Sequence, residues 1–476
     1  MDAKREIGSL IDAKIEEFIG VSDKVWEASE TRFAVKKSAE SFYEVLKNEG
    51  FSIKKGVAHM DHAFVATYGS GRPTIGILAE YDALGNLSQV ADCPERKQKV
   101  KGGNGHGCGH NLLGAGALAG AVGIKDYIKA HKIEGTIQLF GCPAEESGYG
   151  KAFMTRDGVF DHLDIALTWH PGDNSVAWSS SSLAVYQAYF NFKGNAAHAA
   201  AAPDHGRSAL DAAELMNIGV QFLREHITDS ARIHYAFIDA GGESANVVQP
   251  TASLYYFVRA KSIEEANTIF ERVKKVAKGA AMMTETELKI DIDSACASYV
   301  PSKVLTNTIY DNLLKYGNLN LSKDEIKYEE RYYNTLSDSE KDRLYLKLKG
   351  IFPDLSEKDI INLSKSPILE KPLPLVFSSI ASGSTDVGDV SWTVPTAQVM
   401  IGCEPQGTPG HSWQWVANGK SSVAHKGLIA AGKVIATTAY DILTEPEILE
   451  EAKKEHKKML DGKKFKSGIP EDIMPQ

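Results

Sequence analysis

The sequence predicts an α/β protein: an open sheet flanked by helices, with a smaller α+β unit inserted into it. Three observations carry this expectation. Short β-rich runs alternate with helical ones through the first 170 or so residues. Three of those runs end in side chains with chemistry to offer: Glu80-Tyr81-Asp82, Glu145-Glu146 and His170. From about Ala184 the order changes to strand, helix, strand, strand, helix.

Taken in order, Ile7, Leu10, Ile11, Ile15 and Phe18 form one helical stripe over residues 3–18, and a second helix is predicted over 34–48. Strands follow over 51–53, 63–67 and the strongly apolar 74–79. A glycine-rich segment, 101–110, leads into a small-residue helix over 112–130. Gly135 opens a strand over 136–142; a short helix over 149–157 and a strand over 164–169 complete the first part. In open α/β sheets ligands bind beyond the carboxyl ends of the strands, where these three groups fall. In the inserted unit, strands are predicted over 185–192, 233–238 and 253–258, with helices over 208–226 and 263–280. Residues 300–372 are charged, largely helical and without motif, and read as a structural elaboration. Small residues and glycine return over 379–411, as an active-site segment requires. The expected division is a discontinuous domain of residues 1–183 and 299–476, elaborated by 300–372, with an insert over 184–298.

Bulk properties narrow the function. At 476 residues the chain is too long for one ordinary domain. Hydrophobic residues make up 43% and charged ones 24%, the mix of a globular protein. A formal charge of −9 argues against a nucleic-acid partner, which needs a basic face. The N-terminus mixes charge with apolar residues, so neither a signal peptide nor a membrane anchor is expected, and no stretch reaches the roughly 18 apolar residues of a span. The five cysteines are odd in number and widely spaced, which implies no disulfide framework and makes the cytoplasm the expected compartment.

The chemistry begins with Gly105-His-Gly-Cys-Gly-His110. Cys108 and His110, two residues apart in an unencumbered backbone, can reach one site, and a thiolate with an imidazole suits zinc or another borderline metal. A buried cysteine in a loop is the blander alternative. Pro143-Ala-Glu145-Glu146 offers adjacent carboxylates, which in extended chain point to opposite faces unless a turn redirects them. His170 in Thr-Trp-His-Pro and His411 in Pro-Gly-His-Ser are each weak signals alone. Together these residues form a metal-ligand inventory. His59-Met-Asp61-His62 precedes a strand and reads as a turn. Gly114-Ala-Gly116 lies inside a helix, so it is no dinucleotide fingerprint, and no nucleophile elbow or phosphate loop is present.

The strings HGCGHNLLGAGAL, FGCPAEESGYGKAFM, LTWHPGD, NAAHAAAAPDHGRSALDAAELMN, NVVQP and GSTDVGDVSW resemble the amidohydrolase branch of the co-catalytic metallopeptidases, which includes hippurate and auxin-conjugate hydrolases. The resemblance runs from about residue 75 to 440. It implies a mixed-sheet two-metal catalytic domain with an inserted α+β lid and dimerisation domain. By position it makes Cys108, His110, Glu146, His170 and His411 ligands of two divalent ions, zinc or manganese, with Cys108 bridging. It makes Glu145 the general base and Asp82 the residue that orients a ligand, and it leaves Glu80 outside the ligand set. His198 corresponds to a lid histidine that polarises the substrate carbonyl, in many relatives from the other subunit. Asn246 and Arg259 would line the substrate end. Asn111 stands where many members carry Asp, which implies a different charge around the metals. The expected substrate is a small amide: p-aminobenzoyl-glutamate, another N-acyl or aroyl amino acid, or a dipeptide. The expected assembly is a homodimer or a complex with a homologous chain. The competing classes are a non-catalytic or partner-dependent subunit and a metal or thiol sensor built on Cys108.

Overall fold

A computed structural model describes residues 2–377 and 383–476. The first residues of the predicted small-residue segment 379–411, up to 382, lie outside the described residues. Numbered along the chain, the strands are β1 (Ser52–Lys55), β2 (Phe64–Ser70), β3 (Thr74–Glu80), β4 (Gly135–Cys142), β5 (Ile165–Gly172), β6 (Val176–Ala177), β7 (Ala184–Lys193), β8 (Arg232–Asp239), β9 (Thr251–Ala260), β10 (Glu287–Cys296) and β11 (Thr396–Gly402). They build a seven-stranded mixed sheet, order β1-β2-β4-β3-β5-β11-β6, and a four-stranded antiparallel sheet, order β10-β7-β9-β8. The fold class is therefore α/β with a mixed sheet, as the sequence predicts.

Strands β4, β3, β5 and β11 are mutually parallel and adjacent, so their carboxyl ends share one edge. Both faces of this region are covered, and β3 (TIGILAE) is buried at every residue. Helix His110–His131 lies on the sheet, buried along most of its length. Its glycines serve packing: a Cβ on Gly116 would come within 2.6 Å of the Trp169 ring, and one on Gly120 within 2.8 Å of Ile435. Helix Ser422–Thr444 closes over that face.

Two expectations need correcting. The stripe over 3–18 is not one helix. The chain breaks after Ala3–Asp12 and resumes as Ile15–Ala28, and Lys14 at the break pairs with Glu49 at 2.6 Å and Asp126 at 2.7 Å. The second sheet also has a strand, β10, that the sequence reading leaves out. Its signal is the alternation of Leu288, Ile290 and Ile292 with Glu287, Lys289 and Asp291.

The charged stretch forms helices Lys303–Tyr316, Lys323–Tyr333, Asp338–Ile351 and Glu357–Lys365. Ser322 with Glu325 and Ser337 with Glu340 form capping boxes that start two of them. The last three share a small core of Tyr333, Leu336, Leu344, Leu348, Phe352 and Ile360. They grip the loop after β11: the Gln406 side chain donates to the carbonyls of Leu363 at 2.6 Å and Ser366 at 2.8 Å.

Near this junction Glu329 and Glu404 are fully buried, and neither carboxylate makes a well-formed hydrogen bond among the described residues, although the Asn418 amide lies beside Glu404. Burial raises both carboxyls well above the usual range, and the Glu329 charge raises Glu404 further. The folded chain thus holds these protons more tightly than the unfolded chain. Their stability cost is absent below the unfolded pKa of about 4.3 and grows as pH rises above it. Glu404→Gln is accordingly expected to stabilise the protein at about pH 8 by roughly 1 kcal/mol or more, the worth of one pKa unit, and to make little difference near pH 4. Denaturant titrations at the two pH values check this; a variant destabilised at pH 8 would contradict it.

Candidate metal centre

The four adjacent parallel strands deliver the site. β3 ends in Glu80, two residues before Asp82. β4 runs into Pro143-Ala144-Glu145-Glu146. His170 sits near the end of β5, and the loop after β11 carries His411. Cys108 and His110 come from the loop that starts helix His110–His131. Gly109, at φ 71°, makes that entry; a Cβ there would meet Pro171 at 2.8 Å and Trp415 at 2.9 Å.

The opposed-carboxylate problem is solved by backbone strain. Ala144 adopts φ 63°, a left-handed conformation that costs a non-glycine residue about 1 kcal/mol or more. Its carbonyl accepts from the Gly148 amide at 2.9 Å and the Tyr149 amide at 2.6 Å, which holds the turn. Glu145 and Glu146 both line one cavity as a result.

Two histidines, His110 and His170, have their tautomers set by partners that can only accept. His110 Nδ1 donates to Asp82 Oδ1 at 3.1 Å, and Asp82 Oδ2 accepts the Glu146 amide at 3.0 Å. This turns His110 Nε2 toward Glu80 at 3.3 Å, Glu146 at 3.8 Å and Glu145 at 4.0 Å. His170 Nδ1 donates to the Pro171 carbonyl at 2.6 Å, leaving Nε2 3.5 Å from Cys108 Sγ. Burial lowers the His170 pKa to about 4, so the ring is neutral with a lone pair to offer. His411, itself left-handed at φ 55°, places Nε2 3.3 Å from Glu146 Oε2.

The cluster asks for positive charge. Burial, with the charges of Glu80, Asp386 and Glu146, raises Glu145 well above the carboxylate range, and burial raises Glu146. Burial opposes a charged His110, but the hydrogen bond to Asp82, the neighbouring Cys108 sulfur and the nearby carboxylates outweigh it and raise that pKa. His110 Nε2 and Glu146 Oε1 are buried without a hydrogen-bond partner among the described residues. Donor atoms of Cys108, His110 and His170 lie within 4.8 Å of one another, and so do those of Cys108, Glu146 and His411. These residues fit metal ions: imidazoles, a thiol and a carboxylate converge, with His110 Nε2 and Glu146 Oε1 uncommitted.

The cavity measures about 400 Å³. Cys108, Glu145, Glu146, His170 and His411 all line it. Arg259 lines it too, its Nη1 donating to Ser384 Oγ at 2.6 Å, and Tyr149, Trp178, Phe257 and Met400 are among its walls. His198 and Asn246 are not brought in. Both are exposed on neighbouring loops of the four-stranded unit, where Ala199 donates to the Asn246 carbonyl at 2.9 Å and His198 Nδ1 accepts from the Ala200 and Ala201 amides. The Asn111 amide donates to Ser22 Oγ at 3.0 Å and the Gly419 carbonyl at 2.9 Å, which anchors helix Ile15–Ala28.

Sequence reasoning misses Lys151 and Asp386. Lys151 is fully buried, with Nζ 2.7 Å from Glu80 Oε1 and 2.6 Å from Asp386 Oδ1, while its amide donates to Asp386 Oδ2 at 2.8 Å. The available signal is a lysine inside the otherwise apolar start of helix Gly150–Arg156.

A mixed α/β fold with these donors at its strand ends defines a metal-dependent amidohydrolase. The chain belongs to peptidase family M20/M25/M40, whose family model matches residues 76–414. It is 39% identical to one of the subunits of p-aminobenzoyl-glutamate hydrolase of Escherichia coli, over 99% of this chain and 98% of that protein. It is 27% identical to the Xaa-Arg dipeptidase of Mus musculus, over 80% and 73% of the two chains. Its fold is shared with a dinuclear metal binding peptidase of family M20 from Bacillus subtilis, at TM-score 0.52 and 16% identity over 90% and 99% of the chains. No helix among the described residues is long and apolar enough to cross a membrane.

Proposed function

We propose that this chain holds two divalent ions, zinc or manganese, and hydrolyses the amide bond of an N-aroyl or N-acyl amino acid, p-aminobenzoyl-glutamate first and dipeptides second. The observation that carries this reading is the place of Cys108 in two donor sets at once, one with His110 and His170 and one with Glu146 and His411. Those five residues would hold the ions. Bound there, the ions supply Lewis acidity, polarising a carbonyl and lowering the pKa of water. Glu145 takes a proton from the attacking water and returns it to the leaving amine. Asp82 fixes both His110 and, through a backbone amide, Glu146. Arg259 receives the carboxylate of the amino-acid half, and Trp178, Phe257 and Tyr149 offer flat walls for an aroyl ring. The similarity to a p-aminobenzoyl-glutamate hydrolase over nearly the whole of both chains supports this choice of substrate.

His198 and Asn246, exposed and outside their own cavity, suit a lid that serves a neighbouring chain, in a homodimer or with a homologous partner. That position also favours a second reading, in which the chain works only with its partner. Cysteines without disulfides among the described residues support a cytoplasmic setting.

The test is metal analysis and hydrolysis by the reconstituted single chain, with p-aminobenzoyl-glutamate, dipeptides and aliphatic N-acetyl amino acids. About two ions per chain with aroyl-glutamate turnover is the expected result. Turnover that appears only after adding a homologous partner chain supports the second reading, and failure to bind any transition metal overturns both. Arg259→Met is expected to raise KM for glutamate-ended substrates by roughly 10- to 100-fold, the worth of one charge-assisted hydrogen bond, with kcat nearly kept. An equal loss on a substrate whose carboxylate is amidated would remove Arg259 from this role.

A further inference from the structure

His110 belongs to two competing donor sets. One is Cys108, His110 and His170; the other is Glu80, His110 and Glu145, whose donor atoms also lie within 4.8 Å of one another. Since Nδ1 is committed to Asp82, Nε2 can serve one ion, so the sets are alternatives. The first, a thiol and two imidazoles, suits zinc or cobalt. The second, two carboxylates and one imidazole, suits a harder ion such as manganese. It would also consume Glu145, which the proposed function needs free.

Distance does not exclude the oxygen-rich set, because Glu80 Oε2 already lies 3.3 Å from His110 Nε2. What distinguishes Glu80 is its other oxygen, held 2.7 Å from the buried Lys151 ammonium. Asp386 also pairs with that ammonium and accepts the Lys151 amide as well, so Lys151 is immobilised through both side chain and backbone. A buried cation between two carboxylates cancels much of the charge that would otherwise draw an ion toward Glu80.

We propose that Lys151 is a positioning residue that decides which donors take the ion on His110. By occupying Glu80 as a fixed counter-charge, it keeps that ion on Cys108 and leaves Glu145 uncoordinated. This rests on the two-ion reading above and adds the reason that site prefers a thiolate-tolerant metal. Lys151 is not among the residues lining the cavity; it acts through Glu80.

The experiment uses the full-length chain loaded with cobalt(II). It reads the thiolate-to-cobalt charge-transfer absorption of Cys108, and it measures zinc against manganese preference by equilibrium dialysis with metal analysis. The wild type, Lys151→Met, Lys151→Arg, Glu80→Gln and the Lys151→Met/Glu80→Gln pair are compared, with circular dichroism to establish folding. Lys151→Met is expected to lose much of the thiolate band and to shift preference toward manganese by about tenfold or more. Lys151→Arg keeps wild-type values, and the double variant, which lacks the competing carboxylate, regains the band. An unchanged band and preference in Lys151→Met overturns the proposal, as does a loss that Glu80→Gln does not restore. Should Lys151→Met fail to fold, Glu80→Gln alone decides: an unaltered band and metal content support the assignment, and a lost ion shows Glu80 to be a ligand and overturns it. A wild type without a thiolate band defeats the two-ion reading itself, a result separate from any of these.

Discussion

Glu145→Gln is expected to keep its full metal content and lose turnover by about 10²- to 10⁴-fold, the range for removal of a general base. Glu145 stands outside both donor sets that share Cys108, yet it lines the same cavity as Glu146. The strained turn at Ala144 places it there, so the glutamine variant retains the turn and loses only the basic oxygen. KM should change little, because the amide fills the same volume. Glu146→Gln is the matched contrast: it removes a donor of the set with Cys108 and His411, and metal should fall with activity. Metal analysis and steady-state kinetics on the two variants check the assignment. Metal lost from the Glu145 variant and kept by the Glu146 variant would exchange their roles.

Cys108→Ala is expected to have the broadest effect, loss of both ions and reduction of turnover to background. Cys108 is the residue common to the two sets, whereas His170 and His411 each serve one. Burial and the Glu146 charge push the Cys108 thiol well up, so an unaided thiolate is scarce near neutrality and metal binding must release the proton. Affinity at this residue should therefore weaken as pH falls. Metal titration of Cys108→Ala beside His411→Ala separates the cases: two ions lost against one. If Cys108→Ala retains one tightly bound ion, the cysteine belongs to a single site.

Much of this is legible from the chain because period and position agree. The runs over 74–79, 136–142 and 164–169 are apolar for most of their length, and each gives way to polar chemistry where a strand must end, so the shared edge follows from topology. Proximity within that edge is less accessible. Whether Glu145 and Glu146 face one cavity depends on a left-handed alanine, a residue with no preference for that conformation. The Lys151 network joins residues 71 and 235 positions apart, and no local pattern signals a lysine whose partners arrive from another strand and from the start of another helix. The break at Lys14 is similar, since Glu49 and Asp126 hold it from afar. His198 and Asn246 rest on motif strings, which carry residue type but not the reach of the loops that bear them.

The grip on the loop after β11 has a consequence for divergence among relatives. His411 hangs from a segment fastened by Gln406 to the appended helices, while Gly407 donates to Asp173 at 3.1 Å and Asp173 faces Lys347 at 3.7 Å. Residues of the appended bundle, none of which lines the cavity, therefore share in setting where one donor rests. Mutation on that outer bundle can strengthen or loosen the hold on a single ion while the reacting groups stay as they are. Under the proposed assignment, the outer bundle thus offers a remote adjustment of one metal donor, apart from the reacting groups.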